Sequence, residues 1–339
     1  MWKFLQNKKI GIDLGTANTV VFTLEGGIVV DEPTIVAIDQ VNKKIEAIGH
    51  DAKAMIGKTP ESVRIYRPLQ DGAIADYRTA RAVLKSVIDK AVGKNYFFKP
   101  DAIVSVPAGI TSTERRAVIE ATRSAGARSV VLVKEPILAA LGAGVPINEA
   151  KGHMLVDIGG GTTDVAVISL GGVVASTSVK CAGTKIDQAI IDYIRKKYSV
   201  VIGDRTAEDI KKRIASALIV VPDVRDDIKG RDMHTGLPKT ITISTNELAE
   251  VLAPQYQQIV KAIKDVLSDT PAELASDIID YGIVMTGGSS QLQNLSELIK
   301  QQTGVSVRVA DEPLYAVAKG TGILLAHLDD YQRSILTKR

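Results

Sequence analysis

The chain has 339 residues, of which 45% are apolar and 4% aromatic, and its formal net charge is +3. Its length and apolar content predict a globular protein of two domains, whereas few aromatic residues and no basic tail argue against a nucleic-acid reader. The single cysteine, Cys181, cannot form an internal disulfide and favours a reducing cytosol. No apolar run approaches the ~20 residues of a transmembrane helix, and the start "MWKFLQNKK" has too short an apolar region for a signal peptide.

The first predicted element is "IGIDLGTANTVVFTLEGG" at residues 10–27, an apolar strand that reaches Asp13, turns through glycine and returns as a second strand. Residues 33–75 follow as an insertion with short strands and a short helix over residues 51–56. The insertion contains "MIGKTP", the end of a phosphate-binding P-loop, but Ala52 occupies the place of the first glycine. This P-loop is therefore rejected.

The middle of the chain alternates strands with helices. "DAIVSVPAGIT" predicts a strand and a turn, followed by a helix that Ser112 caps and that has Glu114 in its first turn. "SVVLVKEPILAALGAGVPI" predicts a strand and then a helix that opens after Glu135, with Pro136 near its first turn. "YGIVMTGGSSQLQNLSELIKQQTG" repeats strand, glycine turn and helix near the C-terminus. This alternation predicts an α/β fold with sheets flanked by helices.

An internal repeat connects residues 10–27 with "VDIGGGTTDVAVISLGG" at residues 156–172. Asp157 in the second copy corresponds to Asp13 in the first, about 144 residues earlier. A repeat of this length predicts two similar domains, each of which contributes a hairpin to a shared cleft. Residues 181–251 form a second insertion, so the prediction is a four-part molecule around one cleft.

The second copy has three consecutive glycines, Gly159, Gly160 and Gly161. Because glycine has no side chain, main-chain N–H groups can approach phosphate oxygens closely there. Thr162 and Thr163 would add hydroxyl donors. The two aspartates of this stretch, Asp157 and Asp164, would hold a hydrated Mg²⁺. For this stretch alone, a glycine-rich turn with solvated threonines is an equally good interpretation.

With these motifs in order, the chain resembles the actin, Hsp70 and sugar-kinase ATPase superfamily. Its five parts are the first phosphate loop at residues 13–19, the first connector at 135–144, the second phosphate loop at 157–164, the adenosine loop at 286–290 and the second connector at 316–322. Within the superfamily it is similar to the MreB family of bacterial actins, through "GIDLGTANT", "DGAIADY", "ERRAVIEATRSAGAR", "DIGGGTTDVAVISLGG" and "GRDMHTGLPKTITIS".

The resemblance implies an actin-like ATPase fold: two duplicated domains of sheet flanked by helices, each with an inserted smaller subdomain, around a nucleotide cleft. The implied boundaries are 1–32, 76–144 and 320–339 for subdomain IA, 33–75 for IB, 145–180 and 252–319 for IIA, and 181–251 for IIB.

The resemblance also implies hydrolysis of ATP to ADP with Mg²⁺. Glu135 matches the glutamate that orients the attacking water, and Thr162 matches its hydroxyl partner; a glutamate here could instead complement the helix dipole. Asp13 and Asp157 would bind Mg²⁺ through water. The implied nucleotide contacts are Gly15, Thr16, Ala17, Asn18, Gly159, Gly160, Gly161, Thr162, Thr163, Glu208, Lys211, Gly287, Gly288 and Ser289.

The sequence departs from the family pattern at several nucleotide-facing positions. Asp164 replaces a glutamate, the adenosine loop reads GGSS instead of GGGA, and "AGTKID" replaces Ala-Gly-Asp-x-Met-Asp. Arg213 and Ala215 replace a glutamate and a glycine. These departures predict altered ribose and adenine contacts and leave the choice between ATP and GTP open, with ATP expected.

Three functions are compatible with the superfamily. A sugar or glycerol kinase needs a carboxylate base for a substrate hydroxyl and usually a longer chain, and a chaperone of the Hsp70 type needs a peptide-binding domain for which this chain leaves no room. The expected function is therefore a cytoskeletal ATPase. The resemblance implies paired antiparallel filaments on the inner face of the cytoplasmic membrane that organise cell-wall synthesis and rod shape with MreC, MreD and RodZ.

Two apolar tips predict the membrane contact. Trp2, Phe4 and Leu5 at the N-terminus, and Phe97 and Phe98 in "KNYFFKP", lie among lysines. Aromatic rings beside lysines suit the interface between headgroups and anionic lipid. The alternative is that the two phenylalanines cover a hydrophobic core and the N-terminus is merely frayed.

Overall fold

The structure, a computed structural model, describes residues 8–93 and 99–327. The strands are β1 (Lys9–Leu14), β2 (Asn18–Thr23), β3 (Gly27–Pro33), β4 (Val36–Asp39), β5 (Ile45–Ile48), β6 (Val63–Tyr66), β7 (Leu69–Gln70), β8 (Ala73–Ile74), β9 (Asp101–Val106), β10 (Ser129–Lys134), β11 (His153–Ile158), β12 (Thr163–Ser169), β13 (Gly172–Val179), β14 (Val200–Val201), β15 (Arg225–Asp232), β16 (Pro238–Ser244), β17 (Ile283–Thr286) and β18 (Val307–Val309).

The helices are α1 (His50–Met55), α2 (Tyr77–Val92), α3 (Ser112–Ala125), α4 (Glu135–Gly142), α5 (Gly183–Tyr198), α6 (Asp204–Ile214), α7 (Thr245–Ser268), α8 (Ala272–Tyr281), α9 (Leu295–Thr303) and α10 (Ala316–Ala326). Within the described ranges, no helix is both long and apolar enough to cross a membrane.

Two five-stranded sheets have the same topology. The first has the order β10-β9-β1-β2-β3 and the second the order β18-β17-β11-β12-β13. In each, a hairpin (β1–β2 or β11–β12) lies beside a parallel strand that arrives later in the chain. The second strand of each hairpin also has a register irregularity, at Val21/Phe22 and at Val167/Ile168. The predicted duplication of α/β domains is thereby confirmed.

Each large sheet is accompanied by a small one. Residues 33–75 contain the sheet β5-β4-β6, and residues 181–251 contain the sheet β14-β15-β16. These are the two segments that the sequence predicts to be insertions. The exact subdomain boundaries stay a prediction.

The two connecting helices, α4 and α10, lie between the large sheets. Their apolar faces share one core with Ile103 of the first sheet and with Leu155 and Ala166 of the second. The helices cross closely because glycines face the partner backbone. A Cβ atom on Gly320 would lie 1.8 Å from the Leu138 carbonyl oxygen, and one on Gly142 would lie 1.8 Å from the Ala316 carbonyl oxygen.

The N-terminus of α3 differs by one residue from the prediction. The N-cap is Thr111 and not Ser112: the Thr111 hydroxyl accepts a bond from the Glu114 N–H, and the Glu114 carboxylate accepts one from the Thr111 N–H. This reciprocal pair is a capping box, which satisfies two backbone donors at once. Ser112 as N-cap would place Arg115 at the position where the box needs Glu or Gln, so the chain begins the helix one residue earlier.

Candidate active site

A cleft of about 600 Å³ separates the carboxyl ends of the two large sheets. It is bounded by the turns of both hairpins, by the start of α4, by α5 and α6, and by the loop after β17. Because parallel strands β9 and β1, and β17 and β11, end at this edge, the loops that follow them converge on one volume. The repeat in the sequence thus produces a site with loops on both sides.

The first phosphate loop begins where β1 ends. The Ser105 hydroxyl donates to the Asp13 carboxylate (2.9 Å) and accepts a bond from the Leu14 N–H (3.1 Å). Burial raises the pKa of Asp13 to about 6; the bond from Ser105 lowers it and the charge of Asp31 raises it. The predicted contacts of this loop that line the cleft are Gly15, Thr16, Ala17 and Asn18.

The second phosphate loop faces the first at close range. A Cβ atom on Gly160 would lie 2.7 Å from the Ala17 Cβ, and one on Gly161 would lie 2.5 Å from the Thr16 hydroxyl. Glycine is required at both positions for the two loops to approach each other. Gly159, Thr162 and their neighbours line the cleft, whereas Thr163 is fully buried and its hydroxyl donates to the Cys181 carbonyl (2.6 Å).

Glu135 is the buried first residue of α4. Burial, and secondly the negative charges of Asp164, Asp13 and Asp157, raise the pKa of Glu135 well above its usual range. Burial also raises the pKa of Asp157 to about 7, against the bond that the Thr286 hydroxyl donates to it (2.8 Å). The structure brings three predicted carboxyl groups, Glu135, Asp13 and Asp157, to one cleft.

This carboxyl cluster suits a divalent cation. Carboxylates that raise each other's pKa are relieved by a positive charge placed between them. In the described part of the chain, no group of three or more His, Cys, Asp or Glu side chains is arranged to hold a metal directly. A hydrated Mg²⁺, which keeps several waters and takes few protein ligands, is compatible with both observations.

Asp164 has a structural contact. It is fully buried and accepts a bond from the Ala108 N–H (2.8 Å), which joins the second hairpin to the turn after β9. Asp164 is absent from the cleft wall, where Asp13 and Asp157 both lie.

The far end of the cleft is formed by α5, α6 and the adenosine loop. Lys211 is buried, and its ammonium group donates to the Gly183 carbonyl (3.1 Å) and pairs with Asp187 (2.8 Å). Burial favours a raised pKa of Glu208, but its bond from Lys212 and the charges of Lys53, Lys212 and Lys211 lower it overall. Of the predicted contacts, Glu208, Lys211, Gly287, Gly288 and Ser289 line the cleft.

Arg213 and Ala215 do not line the cleft. Arg213 is exposed and pairs with Asp226 of β15 at 2.7 Å, and Ala215 is buried in the core. Arg213 therefore adds no charge to the cleft wall.

Sequence reasoning missed several residues of the site. One of them is Asp187, which pairs with Lys211. Its only signal in the sequence is its place as the last residue of "AGTKID". Two ion pairs also cross the cleft mouth from the first insertion to α6: Lys53 with Glu208 (3.6 Å) and Arg67 with Asp204 (3.2 Å). No local pattern predicts them, because more than 130 residues separate the partners of each pair.

A model of the MreB/Mbl protein family matches residues 7–333. The chain belongs to this family. It is 46% identical over 325 residues to the cell shape-determining protein Mbl of Bacillus subtilis (95% of this chain, 97% of that protein). It is also 46% identical over 327 residues to the cell shape-determining protein MreB of Escherichia coli K12 (94% of each).

The fold of this MreB/Mbl family member matches solved structures. The crystal structure of MreB5 of Spiroplasma citri bound to AMPPNP has a TM-score of 0.91 and 36% identity, covering 97% of this chain and 98% of that one. The structure of MreB5 bound to ADP has a TM-score of 0.90 and 35% identity, with the same coverage. The predicted actin-like fold is thereby confirmed. The predicted membrane residues Trp2, Phe4, Leu5, Phe97 and Phe98 lie outside the described residues.

Proposed function

We propose that this chain binds Mg²⁺ and ATP in the cleft, hydrolyses the ATP slowly to ADP, and polymerises into filaments that lie on the inner face of the cytoplasmic membrane. The observation that carries the proposal is that the two phosphate loops, with glycine at Gly15 and at residues 159–161, meet beside three carboxyl groups whose pKa is raised by burial. Backbone N–H groups that no side chain covers bind phosphate oxygens, and carboxylate oxygens are ligands that Mg²⁺ prefers. The AMPPNP and ADP bound to MreB5 support an adenine nucleotide as the ligand.

Each part of the cleft has a role in this proposal. The N–H groups of the two phosphate loops hold the phosphates, and Asp13 and Asp157 hold Mg²⁺ through its water molecules. Mg²⁺ held there would supply positive charge that offsets the charge of the phosphates. Glu135 orients the attacking water with the help of the Thr162 hydroxyl, and the raised pKa of Glu135 suits a group that accepts a proton.

Exposed apolar residues at two separate places in the second half of the chain support polymerisation. Ile279 and Tyr281 of α8 precede β17, at the edge away from the cleft, and Ile279 is 68% exposed. Val221, in the loop between α6 and β15, is 96% exposed. Contacts between different surfaces of successive copies do not close on themselves and produce filaments.

The biological part of the proposal comes from the family. Both relatives are cell shape-determining proteins, and we extend that role to this chain as organisation of cell-wall synthesis and rod shape. We propose paired antiparallel filaments, with MreC, MreD and RodZ as partners and no nucleic acid.

The decisive experiment measures MgATP binding by calorimetry and phosphate release. Gly160→Val is expected to abolish binding, because its Cβ would collide with Ala17 and its branches would fill the phosphate space. Gly203→Ala is the control, since a Cβ there meets nothing within 4 Å. Unchanged ATP affinity in Gly160→Val would exclude this cleft. Formation of ADP that required an added polyol and released no inorganic phosphate would indicate a kinase.

A further inference from the structure

The adenosine loop lies beside the end of β11, and its successive residues contact successive residues of that strand and of the loop after it. The Thr286 hydroxyl donates to the Asp157 carboxylate (2.8 Å). Gly287, at φ 82°, approaches so closely that a Cβ there would lie 2.3 Å from the Ile158 carbonyl oxygen. The Ser289 hydroxyl then donates to the Gly159 carbonyl (2.8 Å). The adenosine loop is thus joined to the second phosphate loop.

Ser289 makes the outermost of these contacts and reaches the second phosphate loop itself. Its side chain is buried. The Gly159 carbonyl that it contacts also accepts a bond from the Gly183 N–H (3.2 Å), and the neighbouring Gly160 carbonyl accepts one from the Thr184 N–H (2.8 Å). The back of the phosphate loop is therefore held from two directions, by the start of α5 and by Ser289.

The adjacent serine has a different contact. The Ser290 hydroxyl donates to the Gly287 carbonyl (2.7 Å), inside the adenosine loop, and Ser290 is also buried. These two neighbouring buried serines therefore have different partners: the Ser290 hydroxyl bonds within the adenosine loop, and the Ser289 hydroxyl bonds to the phosphate loop.

We propose that Ser289 is a positioning residue, whose hydroxyl fixes Gly159 so that the backbone donors of the second phosphate loop are held ready for the nucleotide's phosphates. This inference rests on the proposed nucleotide site. It assigns to Ser289 a contact with the protein in place of a contact with the nucleotide. A glycine at this position, the residue in the usual GGGA pattern, would lack the hydroxyl that joins the two loops.

The test compares Ser289→Ala with Ser290→Ala by backbone hydrogen exchange in the nucleotide-free protein. Loss of one buried hydrogen bond is expected to speed exchange at residues 159–163 by roughly five- to tenfold in Ser289→Ala. Ser290→Ala is expected to leave residues 159–163 unchanged and to speed exchange only within residues 286–292.

Calorimetry with MgADP supplies the functional measurement. Ser289→Ala is expected to bind MgADP roughly five- to tenfold more weakly than the unaltered protein. Weaker binding without faster exchange at residues 159–163 would mean that Ser289 contacts the nucleotide, and overturns the proposal; unchanged binding overturns it as well. If the unaltered protein binds no adenine nucleotide, the proposed function fails, while the exchange measurement still decides whether Ser289 holds the loop.

Discussion

At the scale of single residues, the chemistry of the cleft depends on carboxyl groups in contrasting surroundings. Asp13 and Asp157 have polar partners, Ser105 and Thr286, that stabilise their charged forms. Glu135 has none among the causes of its pKa shift, all of which disfavour its charge. The difference leaves the two aspartates better suited to hold a cation and Glu135 better suited to accept a proton.

Glu135→Gln is expected to slow phosphate release by roughly 10² or more while leaving MgATP affinity within a few fold. The amide keeps the shape of the side chain and cannot take a proton from water. Single-turnover phosphate release and calorimetry measure the two quantities. The control, Glu120→Gln, changes an exposed glutamate on α3. Hydrolysis at the normal rate in Glu135→Gln would remove this residue from the mechanism.

At the scale of elements, the sequence carried most of the local information. Glycine placement and the repeat predict both hairpins, and alternating patterns predict the strands and helices around them. The cap of α3 was predicted one residue late, because Ser112 and Thr111 are both good caps and only the reciprocal bond with Glu114 decides between them. The contacts of Ser105 with Asp13, and of Arg67 with Asp204, join distant parts of the chain and leave no local signal.

The close crossing of α4 and α10 predicts that a larger residue at Gly320 destabilises the protein. In an isolated helix, alanine is favoured over glycine by about 1 kcal/mol. In Gly320→Ala the new Cβ meets the Leu138 carbonyl oxygen, which belongs to the backbone and cannot rotate away. The overpacking cost of about 1–3 kcal/mol is expected to exceed the gain, so the thermal unfolding midpoint falls.

Gly203→Ala serves as the matched control for Gly320→Ala, because its Cβ meets open space. It is expected to keep the midpoint of the unaltered protein. A midpoint for Gly320→Ala equal to or above that of the control would show that the two helices separate easily, and that the crossing is not tightly packed.

At the scale of the whole molecule, the duplicated sheets lie on either side of a cleft, and two ion pairs across the cleft mouth connect the two inserted segments. The duplicated sheets and the cleft followed from the repeat in the sequence, whereas the ion pairs did not. The surfaces that join copies could not be predicted in the same way, because the sequence does not show that apolar residues such as Val221 and Ile279 are exposed.

Membrane attachment is the last prediction, and it also belongs to the whole molecule because single anchors are weak. One short apolar tip binds lipid marginally, but a filament presents many tips at once and multiplies the affinity. Removal of residues 1–6 together with Phe97→Ser and Phe98→Ser is therefore expected to leave sedimentation of MgATP filaments intact and to release them from anionic vesicles in flotation. The control removes exposed apolar side chains elsewhere, through Leu24→Ser and Val41→Ser, and should float like the unaltered protein. If the tip variant floats equally well, the filaments bind lipid through another surface; if it no longer sediments, the tips contribute to the filament itself.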